Sequence, residues 1–282
     1  MNIEVKNLNK SFSDFNLNNI NINIPKGKIV GLIGENGAGK TTLIKCIMDT
    51  IHKDSGIINI DGHSFTSKDK DSIGIIFDDS FFIETFRIKD INLICKNIYK
   101  KWDEELFYNY MKEFKIPKDK KFKLLSTGMK KKVEIACALS HHPKILILDE
   151  PTSGLDPIIR SEVLDIFTDF VKSQENSILL STHITSDLEH IADDVIFISN
   201  GNIIFDKPLR EVKENYIVLE VKKDDFKKIN KKDIMKYKEN RLDYEILIER
   251  KKMKKNYQKY AKNITTLDDI MLIVIRGVAC ED

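Results

Sequence analysis

The feature that most constrains this chain of 282 residues is a glycine-rich loop at residues 34–41, set between an apolar segment and a helix-like one. It fits the pattern G-x-x-x-x-G-K-[ST], in which backbone N–H groups converge on phosphate oxygens at the positive end of a helix dipole. The lysine would reach the β- and γ-phosphates, and the threonine hydroxyl would bind Mg²⁺. The sequence therefore predicts that a nucleoside triphosphate contacts Gly34, Glu35, Asn36, Gly37, Ala38, Gly39, Lys40, Thr41 and Thr42.

Two carboxylates follow the unbroken aliphatic run at residues 145–148. A buried parallel strand has this composition, and its carboxyl end would bring Asp149 and Glu150 beside the phosphate loop. Asp149 would hold Mg²⁺ through water, and Glu150 would orient and polarise the water that attacks the γ-phosphate. The alternative is that the two charges simply end the strand.

The segment at residues 149–157, with the sequence DEPTSGLDP, resembles the Walker B motif and D-loop of an ABC-type ATPase, the nucleotide-binding subunit of an ABC transporter. Residues 125–129 (LSTGM) stand where that family has its L-S-G-G-Q signature, and His183 stands where the family has its switch histidine. Phe12 occupies the place of the aromatic residue that stacks on adenine. With the phosphate loop, five motifs in the family's order make this resemblance specific over roughly residues 1–208.

The resemblance implies that two copies pair head to tail, with each ATP between the phosphate loop of one and the signature of the other. Ser126 would supply a hydroxyl, and Gly128 a backbone N–H, to the γ-phosphate bound by the other copy. Ser126 is also a good N-cap residue for the helix that follows. By the same resemblance, His183 would contact the γ-phosphate, and Asp156 of the D-loop would lie at the nucleotide site.

The resemblance also implies a fold, an α/β P-loop NTPase core with an N-terminal antiparallel β-subdomain, and the residue patterns agree with it. Short strands fill the first sixty residues, and strands then alternate with helices, which is typical of a doubly wound sheet. Residues 85–142 have helical spacing and are predicted to form a helical insertion. The predicted domains are an ATPase domain at 1–208 and a small basic α+β extension at 209–282, with two strands and a terminal helix.

Two sites depart from the family pattern. In the signature, Thr127 and Met129 replace a glycine and a glutamine. After the strand predicted near residues 73–76, the family has a glutamine that touches Mg²⁺ and the attacking water, whereas this chain has Asp78 and Asp79. Asp78 could bind Mg²⁺ directly, although its side chain is one methylene shorter and charged. Either hydrolysis is slower or Asp78 substitutes for the glutamine, and we favour substitution.

Composition restricts the remaining functions. A net charge of +2 creates no strong positive electrostatic field around the protein as a whole, so nucleic acid is not an expected partner. Residues 211–282 contain 18 Lys and Arg residues and 14 Asp and Glu residues. The simplest interpretation is that these lysines form a solvated face. The alternative is that they contact anionic lipid headgroups or RNA. The four cysteines lack metal-ligand spacing, and no apolar run approaches the roughly 20 residues of a membrane-spanning helix.

The predicted function is ATP hydrolysis that drives conformational change in separate membrane-spanning permease subunits of an ABC transporter. The predicted cofactors are ATP and Mg²⁺, and the predicted location is cytoplasmic, at the inner face of the membrane through those subunits. Family members with a short C-terminal extension often serve export or drug resistance. One alternative is a soluble ABC-type switch acting on ribosomes or nucleic acid. Another is a non-hydrolysing ATP-binding regulator, which Asp78 and Thr127 would favour and Glu150 and His183 oppose.

Overall fold

The computed structural model describes residues 1–78 and 82–279, so Asp79 lies outside the described residues. The chain divides into two units. The first comprises Met1–Asp187 with Ile191–Asp206, and the second comprises Leu188–His190 with Lys207–Asp282. Within the described ranges, no helix has the length and apolar content that crossing a membrane requires.

Strands and helices occupy most of the chain from Ile3 to Pro208. In chain order they are β1 (Ile3–Ser11), β2 (Asn16–Ile24), β3 (Ile29–Ile33), α1 (Lys40–Ile47), β4 (Ser55–Ile60), β5 (His63–Ser64), β6 (Ile73–Ile76), α2 (Ile88–Ile98), α3 (Glu104–Glu113), α4 (Thr127–Leu139), β7 (Ile145–Asp149), α5 (Pro157–Val171), β8 (Ser177–Thr182), α6 (Thr185–Ile191), β9 (Asp194–Ser199) and β10 (Asn202–Pro208).

The main sheet has the strand order β10-β9-β3-β8-β7-β6, and the pairs from β9 through β6 are parallel. All residues of β3, β7 and β8 are buried, because central parallel strands are covered on both faces and carry continuous apolar runs. The predicted α/β core is confirmed. Because the carboxyl ends of parallel strands meet at one edge, the segments after β3, β6, β7 and β8 lie near one another.

A second sheet, with the order β2-β1-β4-β5, has antiparallel pairs throughout. Strand β2 alternates polar and apolar residues, so Leu17, Ile20, Ile22 and Ile24 turn inward while the residues between them face solvent. These side chains join one apolar core with residues of α1 and of the main sheet. The predicted antiparallel subdomain is confirmed.

Three helices, α2, α3 and α4, lie within residues 85–142 and share an apolar cluster centred on Phe107 and Phe122. Two of them begin at capping side chains, because Asp103 accepts a hydrogen bond from the Leu106 N–H at 2.9 Å and Ser126 caps α4. The cap at Ser126 fixes the start of α4 at Thr127.

The second unit contains α7 (Leu209–Asn215), β11 (Tyr216–Lys222), β12 (Ile234–Glu239), β13 (Asp243–Glu249) and α8 (Leu267–Arg276). Its strands form an antiparallel sheet with the order β11-β13-β12. The sequence patterns indicated β11, β13 and α8 but not β12. Only one residue of β12 is buried, so an edge strand of this kind carries little apolar alternation.

Candidate active site

The loop between β3 and α1 forms the base of a cavity of about 620 Å³. The backbone at Gly37 and Gly39 has positive φ values of 80° and 109°, which glycine adopts without strain. A Cβ atom at Gly39 would lie 2.6 Å from the Phe15 ring and 2.7 Å from the Leu17 side chain. The antiparallel sheet therefore packs directly on the loop and requires glycine at residue 39.

Lys40 is the buried cation of this loop, with 6% of its surface exposed. Its Nζ donates hydrogen bonds to the carbonyl oxygens of Gly34 at 2.8 Å and Glu35 at 3.3 Å. The same atom lies 3.4 Å from Oε1 of Glu150. The ammonium is thus held inside the loop by oxygen acceptors, in a position where phosphate oxygens would provide stronger ones.

Thr41 and Asp149 meet at the start of α1 and the end of β7, where the Thr41 hydroxyl donates to Oδ2 of Asp149 at 2.7 Å. The other carboxylate oxygen, Oδ1, is buried and has no hydrogen-bond partner among the described residues. Buried polar atoms are rarely left in this state, and a hydroxyl beside a carboxylate is the oxygen donor set that Mg²⁺ uses. These two residues therefore fit a magnesium ion, which takes few protein ligands and completes its shell with phosphate and water.

Glu150 and His183 form the second pair at this edge. The His183 Nδ1 lies 2.8 Å from Oε2 of Glu150, and the His183 backbone N–H donates to the same oxygen at 3.4 Å. Glu150 has a φ of +51°, an uncommon value for a residue with a side chain, and its N–H donates to the Ser181 carbonyl. The backbone at this turn therefore directs the carboxylate between Lys40 and His183.

The cavity also has an aromatic wall and an acidic rim. Phe12 is about half exposed, and the Lys10 ammonium lies 5.3 Å from its ring centroid. Asp78 borders this cavity and a neighbouring one of about 500 Å³, which Thr41 and Asp149 also line. The described residues that line the main cavity are Phe12, Asp14, Phe15, Asn36, Gly37, Gly39, Lys40, Thr41, Thr42, Asp78 and Glu150.

The residues of the predicted signature and D-loop lie at helix N-termini and are not part of this lining. Ser126 caps α4, where its hydroxyl accepts from the Met129 N–H at 3.3 Å. Asp156 caps α5, where its carboxylate accepts from the N–H groups of Ile158 and Ile159, each at 3.1 Å. Gly128 lies next to Ile159, 3.1 Å from the place a Cβ atom would take. One copy thus holds two separate groups of predicted site residues.

A buried carboxylate that the sequence analysis did not single out connects the segments after β7 and β8. Asp187 of α6 is 1% exposed, and its Oδ2 accepts from the Thr152 hydroxyl at 2.6 Å. Its Oδ1 accepts from Nε of Arg160 at 2.5 Å. Thr152 follows Glu150 by two residues and Asp187 follows His183 by four. Since the motif patterns concern phosphate contacts, they carried no signal for this connection.

Asp187→Ala is expected to lower the free energy of unfolding by about 2–4 kcal/mol, because it leaves the Thr152 hydroxyl and the Nε of the partly buried Arg160 without their acceptor. Urea unfolding of the purified chain measures the change. Ser186→Ala is the matched control, because it removes only an exposed hydrogen bond from Arg160, and we expect less than about 1 kcal/mol from it. Equal effects of the two substitutions would contradict this account of Asp187.

Comparisons with known proteins point to one family. The profile of the ABC transporter family matches residues 17–153. The chain is 33% identical over 222 residues to the ABC transporter ATP-binding protein YtrB of Bacillus subtilis, spanning 78% of this chain and 76% of that protein. It is 37% identical over 226 residues to the lantibiotic transport ATP-binding protein SrtF of Streptococcus pyogenes, spanning 77% of this chain and 98% of that protein.

Among solved structures, the chain is similar to cbiO1 of Clostridium perfringens, which is described as part of the ABC transporter complex cbiONQ. The two are 32% identical and superimpose with a TM-score of 0.63, over 74% of this chain and 89% of cbiO1. The likeness therefore covers about three-quarters of the chain.

Proposed function

The chain belongs to the ABC transporter family as an ATP-binding subunit that hydrolyses ATP for transport, and on this premise we propose how its own residues perform that work. The observation that carries the proposal is the meeting of Lys40, Thr41, Asp149, Glu150 and His183 at one edge of the main sheet. These side chains combine a cation, an oxygen donor pair and a carboxylate within reach of one bound phosphate chain.

The loop would bind the triphosphate before any chemistry occurs. The N–H groups around Gly37 and Gly39 and the start of α1 would face phosphate oxygens, and Lys40 would exchange its carbonyl acceptors for them. Phe12, at the far wall of the cavity, would stack on the adenine ring. Thr41 and Asp149 would hold Mg²⁺, and the bound ion would neutralise charge on the β- and γ-phosphates.

Hydrolysis would then depend on Glu150 and His183. Glu150 would accept a proton from the attacking water while orienting it in line with the γ-phosphate. His183, held 2.8 Å from that carboxylate, would donate to a γ-phosphate oxygen through its other ring nitrogen. Catalysis in this scheme comes from positioning and charge, and no covalent intermediate forms on the protein.

The site is proposed to be completed by a second copy of the chain. Ser126 and Gly128 lie at the N-terminus of α4 and outside the cavity lining, so a second copy in head-to-tail orientation could bring them to the γ-phosphate. Asp156 would lie at the same interface. ABC ATPases dimerise, and the pairing proposed for this chain is a homodimer closed by ATP.

ABC ATPases also associate with transmembrane subunits. We infer that this chain lies in the cytoplasm against such permease subunits at the inner face of the membrane. The 37% identity to the lantibiotic transport protein SrtF, over 98% of that protein, supports export of a peptide antibiotic as the transport step.

Export is tested by deleting the gene in its host and measuring the minimal inhibitory concentration of lantibiotics. The deletion should lower the resistance, and the parental chain should restore it, whereas Glu150→Gln should not. Unchanged resistance to every peptide antibiotic tested would contradict export of this class.

Asp78 is proposed to replace the glutamine that the family has at this position. It borders both cavities beside Thr41 and Asp149, and the preceding carbonyl, of Phe77, accepts a hydrogen bond from Lys131 of α4 at 3.4 Å. Asp78→Asn should weaken Mg²⁺-dependent hydrolysis without changing ATP affinity, because the phosphate loop provides most of the binding. Asp78→Gln should retain more activity than Asp78→Ala.

Steady-state ATPase assays across a Mg²⁺ titration separate the Asp78 variants. Equal rates and equal Mg²⁺ dependence in all three would mean that Asp78 is a solvated loop residue. In that case a water molecule or Asp79 performs the positioning, and the unusual loop serves contact with the membrane subunit.

The domain boundary at residue 208 remains our proposal, and it predicts that the catalytic domain works without the extension. Removal of residues 211–282 should leave ATP affinity within about twofold of the parental value, since every predicted contact precedes residue 184. Equilibrium binding of a fluorescent ATP analogue measures this. A truncated chain that unfolds cooperatively but has lost ATP binding would place the boundary elsewhere.

A further inference from the structure

Two lysine-rich segments of the second unit, residues 222–233 and 250–262, concentrate the positive charge of the chain. Together they contain thirteen Lys and Arg residues against three Asp residues. The rest of the chain contains 33 basic and 41 acidic residues, so it is net acidic. The net charge of +2 therefore hides an uneven distribution. The two segments carry an excess of positive charge, and the rest of the chain carries an excess of negative charge.

The structure brings the two segments onto the same face of the β11-β13-β12 sheet. Phe226 and Ile229 from the first segment, and Met253 and Tyr257 from the second, pack into the apolar cluster on that face. The Tyr257 hydroxyl accepts from the Asn230 N–H at 3.0 Å and donates to Asp233 at 2.8 Å. These contacts join both segments into one layer, which we call the basic face.

The cations of the basic face point to solvent, because the apolar side chains of the same segments point to the sheet. Eleven of the thirteen are exposed, namely Lys222, Lys223, Lys227, Lys228, Lys231, Lys232, Arg250, Lys251, Lys254, Lys255 and Lys259. Two of the three aspartates are half-buried and already paired, Asp225 with Lys228 and Asp233 with Lys254. Outside the two segments, Glu239, Glu249 and Asp269 pair with Lys223, Lys251 and Lys262, yet the cations of this surface still outnumber the acidic residues that pair with them.

We propose that the basic face binds a membrane surface rich in anionic phospholipid headgroups. Lysine is a compact point charge that suits a diffuse anionic surface, and twelve of the thirteen cations are lysines. Single-stranded RNA is bound largely by stacking of bases on exposed aromatic rings or arginine planes, whereas Tyr257 is buried and Phe226 and Tyr260 are half-buried. The proposal rests on the proposed function in one respect, since an ATP-binding subunit of a transporter works beside a membrane.

Flotation of the purified full chain with vesicles tests the proposal. We expect binding to vesicles of phosphatidylcholine with 30% phosphatidylglycerol, loss of binding at high salt, and no binding to phosphatidylcholine alone. The triple variant Lys227→Gln, Lys232→Gln and Lys255→Gln should weaken partitioning roughly a hundredfold, at about fivefold for each lysine near the surface. These three side chains make no ion pair in the described ranges 1–78 and 82–279.

A matched control removes three positive charges from exposed lysines of the first unit, with Lys68→Gln, Lys101→Gln and Lys112→Gln. It should bind the vesicles like the parental chain, and an equal loss in both triple variants would overturn the proposal. No vesicle binding, or lysine-dependent binding to an RNA oligonucleotide in place of vesicles, would also overturn it. ATP hydrolysis by both variants in solution is measured separately, so a failure of the proposed function is distinguished from a failure of the basic face.

Discussion

Glu150→Gln is expected to leave ATP binding intact and to lower the ATPase rate by about 10²–10⁴-fold, the contribution typical of a positioned general base. Glutamine has the same size and can keep a hydrogen bond to His183, but its amide cannot accept a proton from water. Since ATP would remain bound, the head-to-tail dimer should accumulate. Size-exclusion chromatography should show this dimer with ATP and not with ADP.

Glu175→Gln is the control for this variant. Glu175 is an exposed carboxylate paired with Lys26, so the same chemical change there should leave the ATPase rate and the elution volume unaltered. Hydrolysis by Glu150→Gln at the parental rate would remove Glu150 from the role of general base, and the search would then turn to Asp149 and Asp78.

Lys40→Ala is expected to abolish ATP binding at micromolar concentrations. It removes the buried cation that would face the phosphates. Loss of one partner of a buried, hydrogen-bonded charge pair typically costs about 2–5 kcal/mol, which is a loss of affinity of at least roughly 30-fold. The variant also frees Glu150 from the ammonium 3.4 Å away, which increases repulsion of the triphosphate. Isothermal titration calorimetry measures the affinity.

Lys28→Ala provides the comparison for Lys40→Ala. Lys28 precedes the same strand, β3, at its opposite end and pairs with Asp194 at 2.7 Å, so its loss changes the net charge equally but not the loop. Its ATP affinity should stay within about twofold of the parental value. ATP binding by Lys40→Ala with parental affinity would mean that backbone N–H groups and Mg²⁺ ligands alone hold the phosphates.

The sequence predicted those parts of the site that are formed by residues adjacent to one another in the chain. The loop before Lys40 and the aliphatic strand before Asp149 are local patterns, and each predicts both an element and the residue at its end. The structure brings these elements to the same edge of the sheet, and the α/β fold is confirmed, while the role of each residue there remains a prediction. The carboxyl ends of parallel strands lie at one edge of the sheet whatever side chains the strands carry.

The contacts that lie outside such patterns could not be predicted. The bond from Thr152 to Asp187 joins residues 35 apart, and a lone Asp on a helix has no spacing that marks it as buried. Likewise, Glu150 has a positive φ, and no glycine stands at this position to indicate such a backbone conformation in the sequence. The basic face emerged only when tertiary structure placed two segments, each an ordinary lysine-rich stretch, on one side of a sheet.

The strand order has a consequence for synthesis on the ribosome. Strand β3 carries the phosphate loop, yet its two neighbours in the sheet, β8 and β9, are translated only after residue 176. The Gly201 N–H then donates to the Ala38 carbonyl at 3.0 Å, so the loop gains its last backbone support from a still later residue. Until these strands emerge, the nascent chain exposes both edges of β3, which invites non-native pairing. The glycine-rich loop is therefore translated early, but its supporting contacts are complete only after Gly201 of the 282 residues has left the exit tunnel.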